Sequence, residues 1–308
     1  MDLRYEMYLT PNYKIYKRAG EVNKKKTLLH VENLPEGWYS KIDKEKHWHY
    51  CGPFGIPIPP QGWKIHISST LENTQKTLDI VSNILISRNT HFKFVMSTWD
   101  LFVKNSKYGD RSASGKFITI YPATDYLFYT LLDELNEALS GLENGAYILN
   151  DNRWFFGNVY FRYGGFLEMH TREGQSGIIN EYGEIIPDQR IPGYVVPSFV
   201  EVPEKLKLME LEKESRSLDA SRLDAYNIYE ALHFSNGGGV YKATIISSGK
   251  KVIIKEGRPE AGLDSTGKDG FKRLSTEFDT LSKLSEVDEV VDVYEYFKAW
   301  RMFIWLRK

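Results

Sequence analysis

Trp63-Lys64-Ile65-His66-Ile67 reads as an apolar strand with a lysine and a histidine set into it. Side chains alternate faces along a strand, so Lys64 and His66 point one way and Trp63, Ile65 and Ile67 the other. A second apolar run, Phe92-Lys93-Phe94-Val95-Met96, carries one lysine at its centre. A half-buried strand has no packing use for a central cation. A site that grips an anion and moves protons does. Each residue alone has a bland alternative, a snorkelling or hydrogen-bonded cation. That alternative weakens when one domain must tolerate several such exceptions.

Working outward from these strands, Ser69 and Glu72 have capping-box spacing. Leu71, Leu78, Val81, Ile84 and Leu85 then form an apolar stripe, which predicts a helix over 70–87. A strand at 92–96, a short helix at 98–104 and a polar loop at 105–116 follow. The loop carries Lys107, Arg111 and Lys116. Strands are expected at 117–121, 147–149 and 159–163, and an amphipathic helix at 125–139. Residues 1–60 look basic, aromatic and irregular. The run from Cys51 to Pro60 reads as loop, because proline removes donors and fixes φ. Pro187, Pro192 and Pro197 break 165–197 into turns. Residues 201–217 are mostly Glu, Lys, Leu and Ser, the composition of a linker helix. Beyond it come strands at 229–234, 240–246 and 251–256 and a helix at 270–284. Ser235-Asn236-Gly237-Gly238-Gly239 reads as a flexible loop. The expected division is a domain at 1–200, a linker helix at 201–217 and a second domain at 218–308.

The 308 residues suggest about two domains. Hydrophobic content of 42% and charged content of 26% are ordinary for a soluble globular protein. The net charge of −1 gives no global field for nucleic acid or an anionic membrane. No apolar run approaches the roughly 20 residues of a membrane helix, and the N-terminus has no signal core. One cysteine, Cys51, rules out an internal disulfide and fits a cytoplasmic location. It has no partner base nearby, which argues against a cysteine nucleophile. His47 and His49 supply only two nitrogens, too few for a metal site. No serine nucleophile elbow is present.

What remains is a set of cations. Arginine grips phosphate or carboxylate bidentately. A lysine among cations and apolar groups loses its proton more readily and becomes a base. Histidine donates a proton near neutral pH. Together they fit removal of a carbon-bound proton beside a carbonyl, with loss of phosphate from the neighbouring carbon.

The first domain resembles the lyase domain of class III and IV lanthipeptide synthetases, relatives of the phosphothreonine lyases of bacterial effectors. The resemblance rests on Gly62-Trp63-Lys64-Ile65-His66-Ile67-Ser68, Phe92-Lys93-Phe94 and Asn105-Ser106-Lys107-Tyr108-Gly109-Asp110-Arg111. Ser114-Gly115-Lys116-Phe117-Ile118-Thr119-Ile120-Tyr121-Pro122 and Tyr160-Phe161-Arg162-Tyr163-Gly164-Gly165-Phe166 extend it in the family's order. It implies an α+β fold with a phosphothreonine-lyase-like mixed sheet. It also implies Lys93 as general base, His66 as general acid and Lys64 as the cation that steadies an enolate. Arg111 and Arg162 would clamp the phosphate, with Tyr121, Lys116 and Lys107 as further contacts and Asp151 as a positioning carboxylate. The product would be dehydroalanine or dehydrobutyrine, made without metal or organic cofactor.

Residues 218–308 resemble the antiparallel-sheet N-lobe of a protein kinase. Gly237, Gly238 and Gly239 stand for a degenerate glycine-rich loop, although a plain glycine hairpin accounts for them equally. Lys255 in Val252-Ile253-Ile254-Lys255 would pair ATP phosphates, and Glu277 would pair Lys255. No HRD-type or DFG sequence follows Glu277 before Lys308. The expectation is a truncated kinase whose C-lobe, and a cyclase domain, belong to a longer enzyme. ATP and Mg would serve the intact kinase domain, and no kinase activity is expected of this chain. The expected partner is a precursor peptide, both leader and phosphorylated core. The alternative is a non-catalytic module that binds a phosphopeptide or a leader peptide.

Overall fold

The computed structural model describes residues 28–45, 47–189, 193–216, 220–299 and 302–307. The basic stretch before residue 28, and Pro192, lie outside them. The described residues separate into two compact units, one within 24–101 and 115–209, the other within 102–114 and 210–308.

The first unit holds β1 (Trp38–Ile42), β2 (Trp48–Pro53), β3 (Gln61–Ile67), α1 (Thr74–Ser87), β4 (His91–Val95) and the start of α2 (Thr98–Asn105). After β5 (Ile118–Tyr121) come α3 (Asp125–Ala138), β6 (Asn152–Arg153), β7 (Val159–Gly165), β8 (Gly177–Ile179) and β9 (Ile185–Pro187). α4 (Glu204–Arg216) leaves the unit. Among the described residues seven strands form one sheet in the order β1-β2-β4-β5-β3-β7-β6. Each neighbouring pair is antiparallel, so the expected mixed sheet gives way to an antiparallel one.

One face of this sheet is core. Trp63, Ile65, Ile67, Phe92, Phe94, Ile118, Ile120 and Phe161 are buried there. They share a cluster with Leu78, Val81 and Leu85 of α1 and Phe128, Leu131, Leu132 and Leu135 of α3. Thr124 caps α3 by accepting from the Leu127 amide at 3.2 Å.

Three expectations fail locally. α1 starts at Thr74, and its N-cap, Asn73, makes no side-chain cap. The Ser69 hydroxyl instead donates to the Thr70 carbonyl and meets Thr77 Oγ1, each at 3.0 Å. Residues 147–149 are not a strand; β6, just beyond them, takes the place beside β7. Trp38–Ile42 and Trp48–Pro53 are strands, not irregular. Pro53 closes β2 opposite Trp38, at a strand end where a missing donor costs little.

The second unit carries β10 (Tyr226–Ser235), β11 (Gly238–Ile245), β12 (Lys251–Gly257), α5 (Gly270–Lys283), β13 (Val293–Ala299) and β14 (Met302–Arg307). They make an antiparallel sheet in the order β10-β11-β12-β14-β13. Asp269 caps α5 by accepting from the Lys272 amide at 2.7 Å. The segment 235–239 is a packed turn and not a loose loop. Asn236 is buried, and its Nδ2 donates to the carbonyls of Lys104 (3.2 Å) and Ser106 (3.0 Å). Arg258 Nη1 donates to the Asn236 carbonyl at 2.9 Å. Gly238 has φ of +139°, and a Cβ there would strike the Glu256 carbonyl.

Candidate active site

The polar face of the seven-stranded sheet collects the residues that the strand pattern singles out. Residues opposite one another in an antiparallel pair share a face. The register therefore draws one row across the sheet, Tyr50–Lys93–Thr119–His66–Tyr160–Arg153. Two residues along, Lys64 stands opposite Arg162, and His91 opposite Tyr121. Lys64, His66, Asp151 and Arg162 are 6%, 4%, 2% and 4% exposed, so their charges act in a poorly screened medium.

Lys93 Nζ lies 4.4 Å from the Trp48 ring centroid and 5.3 Å from that of Tyr50. Lys64 Nζ donates to the Gly165 carbonyl at 2.8 Å. A Cβ on Gly164 would stand 3.0 Å from that Nζ, so the glycine leaves room for the lysine head.

His66 Nδ1 and Asp151 Oδ2 share a short hydrogen bond. An ionised carboxylate only accepts, so Nδ1 carries the proton and Nε2 is the chemically active nitrogen. Lys116 Nζ approaches the other Asp151 oxygen at 3.6 Å. Burial pushes the Asp151 carboxyl up, but His66, Lys116 and Arg162 outweigh it and hold the group below the usual carboxylate range. Burial pushes His66 down; Asp151 pulls it up, Lys116 and Lys64 push it down, and the net position is about 3. A neutral imidazole therefore stands beside an ionised aspartate.

Arg162 Nη2 donates to Asp188 Oδ1 at 2.5 Å and to the Gln189 carbonyl at 2.9 Å. The sequence pattern does not single out Asp188, which follows β9 in the turn-rich stretch. Its one signal is an acid directly after Pro187. Arg153, two residues after Asp151, ends the cross-sheet row. It is buried, with its guanidinium 5.3 Å from the Tyr160 ring centroid and Nε donating to Gly157 at 2.5 Å. Tyr121 packs edge-on against Phe166, with centroids 5.2 Å apart.

Lys107 and Arg111 are not on this sheet. They lie on the segment 102–114, which belongs to the second unit. There the Arg111 guanidinium sits 5.0 Å from the Phe234 ring centroid, and Lys107 Nζ 5.3 Å from that of Tyr108. In the same unit Lys255 Nζ and Glu277 Oε1 form an ion pair. Gly237, Gly238 and Gly239 belong to the packed turn; a Cβ on Gly237 would stand 3.1 Å from Arg273 Nη2.

Among the described residues no group of three or more His, Cys, Asp and Glu is arranged to hold a metal. His47 Nδ1 meets Asp100 at 3.3 Å and His49 Nε2 meets Ser40 at 2.6 Å. Cys51 is buried, and burial pushes its thiol up to about 12, which removes it as a nucleophile. No described helix is long and apolar enough to cross a membrane.

Residues 27–216 match the family described as RamC, N-terminal domain. The chain is similar to the "Probable SapB synthase" of Streptomyces coelicolor, 40% identical over 256 residues, covering 82% of this chain. That alignment covers 27% of the relative, so the chain spans about a quarter of the curated protein's length. One similar solved structure is the type III effector/phosphothreonine lyase OspF from Shigella flexneri. The two are 16% identical with a TM-score of 0.34, over 46% of this chain and 82% of that one. A second, described as giving insight into the mechanism of the phosphothreonine lyase, is also 16% identical with a TM-score of 0.34. It covers 49% of this chain and 73% of its own. Likenesses of that size fix neither fold nor role.

Proposed function

The chain belongs to the RamC N-terminal domain family, and on that footing we propose that its seven-stranded unit is a phosphoserine/phosphothreonine lyase within a lanthipeptide synthetase. Its substrate is a ribosomally made precursor peptide carrying the phosphorylated residue. The observation that carries this reading is the pair of cross-strand rows. They put a lysine, an aspartate-linked histidine, a second lysine and an arginine on one buried face of one sheet.

Phosphate docks against Arg162, exchanging Asp188 for the substrate's oxygens. Lys93, as the free amine, takes the Cα proton. Lys64 holds the negative charge that develops on the neighbouring carbonyl oxygen, and such preorganised charge supplies much of an enzyme's rate. The electrons of the C–H bond become the Cα=Cβ bond, and the Cβ–O bond breaks. The departing phosphate oxygen takes a proton from His66 Nε2. Dehydroalanine or dehydrobutyrine and inorganic phosphate result, and Lys93 and His66 re-equilibrate with solvent.

His66 is held neutral, so Nε2 must take up a proton before it can act as the acid. A phosphoryl group brings a charge of about −1.5 to −2. That charge offsets Lys64 and Lys116, two of the groups that hold the imidazole down. Burial remains the largest cause that keeps the imidazole neutral, so His66 acts as the acid only where the phosphate's charge outweighs it. The test is direct: incubate the chain with a phosphoserine peptide and follow loss of phosphoric acid by mass spectrometry. A peptide that binds but never loses phosphate rejects the lyase reading and leaves a binding module.

The second unit reads as the N-lobe of a protein kinase. Its five antiparallel strands, α5 and the Lys255–Glu277 ion pair support that assignment. Lys255 would meet the phosphates of ATP, and the metal ligands and base of phosphoryl transfer would come from the rest of a longer enzyme. Titration calorimetry with ATP on wild type and Lys255→Ala tests it; equal binding by both rejects the role of Lys255.

A further inference from the structure

Arg162 also forms a wall of a cavity of about 300 Å³. That volume lies at the small end of ligand pockets and suits a single large side chain. Arg162, Asp188 and Gln189 make its polar end, and the remainder is largely apolar, with Ile178, Ile186, Val195, Val196 and Phe199 among its walls. The walls are fixed to the sheet. Gln61 of β3 donates to the Ile179 carbonyl at 2.8 Å and accepts from the Ile179 amide at 2.5 Å, which pins β8. β8 pairs with β9, and the Phe199 ring meets Tyr163 with centroids 6.4 Å apart. Val195, 41% exposed, stands where the cavity meets solvent. None of the proposed proton transfers uses this space.

We propose that the cavity is a subsite for an apolar side chain of the peptide, Leu, Ile or Phe, adjacent to the phosphorylated residue. The inference rests on the lyase-site reading, because Arg162 links the two places. A phosphate gripped by Arg162 sits at the polar end of the cavity. Consecutive Cα atoms are about 3.8 Å apart, so a peptide that turns at the phosphorylated residue brings the next side chain to the apolar walls. An acidic neighbour is disfavoured by the apolar lining. The subsite would select phosphorylated residues by what stands beside them.

The test uses the full 308-residue chain and fluorescently labelled phosphoserine peptides that differ only in having Leu, Gly or Asp beside the phosphoserine. Dissociation constants are read by anisotropy, and phosphate release is measured separately. Burial of one leucine side chain predicts about tenfold or tighter binding of the Leu peptide over the Gly peptide. The Asp peptide should be the weakest. Val195→Trp and, as an independent filling, Ile186→Phe should each bring the Leu-to-Gly ratio within twofold. The proposal is overturned if the wild-type ratio is already within twofold, or if both fillings leave it unchanged. If filling instead abolishes self-association in sedimentation and leaves the ratio alone, the cavity belongs to a second copy and the proposal also falls. These outcomes are read from binding. Absence of phosphate release alongside a clear Leu preference would reject the lyase chemistry and keep the subsite.

Discussion

His66 and Asp151 share their hydrogen bond out of reach of water, and that placement has a consequence for stability. The folded protein holds His66 neutral down to about pH 3, whereas an unfolded chain protonates it near 6.5. Between those values the unfolded state binds more protons, so stability rises with pH and falls on acidification. At pH 5 the loss relative to pH 8 is about 2 kcal/mol from this residue. The urea midpoint of the wild type should fall between pH 8 and pH 5 by more than that of His66→Gln. Equal falls would mean the imidazole is not held neutral. Lys93→Ala belongs to the same scale. It should keep phosphopeptide affinity within a few fold and lower elimination by about 10²-fold or more. Elimination at the wild-type rate would remove Lys93 as the base. These residues were legible because a charge inside an apolar strand is a visible exception. Asp188 was not, because a single acid in a turn-rich stretch looks like any surface acid until the fold brings it to Arg162.

At the scale of elements, antiparallel register does the assembling. Lys64 and Arg162 are opposed because β3 and β7 pair Gln61 with Gly165 and Ile67 with Val159. A slip of one residue would turn every cation into the core. Gly164 is where the element touches the chemistry. Gly164→Ala would bring a Cβ to 3.0 Å from Lys64 Nζ and 3.2 Å from Asp188 Oδ1. The flexible lysine head can move, so the stability change should stay within about 1 kcal/mol. Elimination should fall about tenfold or more, in kcat rather than KM, because Lys64 acts on charge that develops in the transition state. A loss confined to KM would assign Lys64 to substrate binding alone. The helices read well because α1 and α3 have apolar stripes of helical period. The capping box at Ser69 misled because a hydroxyl bonds to whatever the tertiary structure offers, here Thr77. β1 and β2 went unread because their aromatic and polar residues, with Pro53 nearby, lack clean alternation.

At the scale of the whole molecule, the boundaries expected at 200 and 218 describe a chain that changes unit once. The compact units divide it otherwise. Residues 102–114 leave the seven-stranded unit and pack with 210–308. The holding contacts are specific. Lys107 donates its amide to the Leu263 carbonyl at 3.1 Å, Asn236 donates its amide to the Lys107 carbonyl at 3.0 Å, and Asn236 Nδ2 binds the carbonyls of Lys104 and Ser106. Asn236 is therefore a buried link between sequence-distant pieces, and a composition reading cannot find such a link. Asn236→Ala removes the side-chain amide that donates to the carbonyls of Lys104 and Ser106, and should cost about 1–3 kcal/mol in urea unfolding. A change below about 0.5 kcal/mol would show those carbonyls hydrated rather than buried. The larger consequence concerns cutting the chain. A piece ending at Met209 keeps every strand of the seven-stranded sheet but removes Asn236, Arg258 and Leu263. Residues 102–114 then lose the backbone they are bonded to, and Arg111 loses the Phe234 ring it stands on. Limited proteolysis should cut the shortened piece within 102–114 at least tenfold faster than the full chain, with the sheet left intact. Equal protection of 102–114 in both forms would mean the segment is ordered by the seven-stranded unit after all.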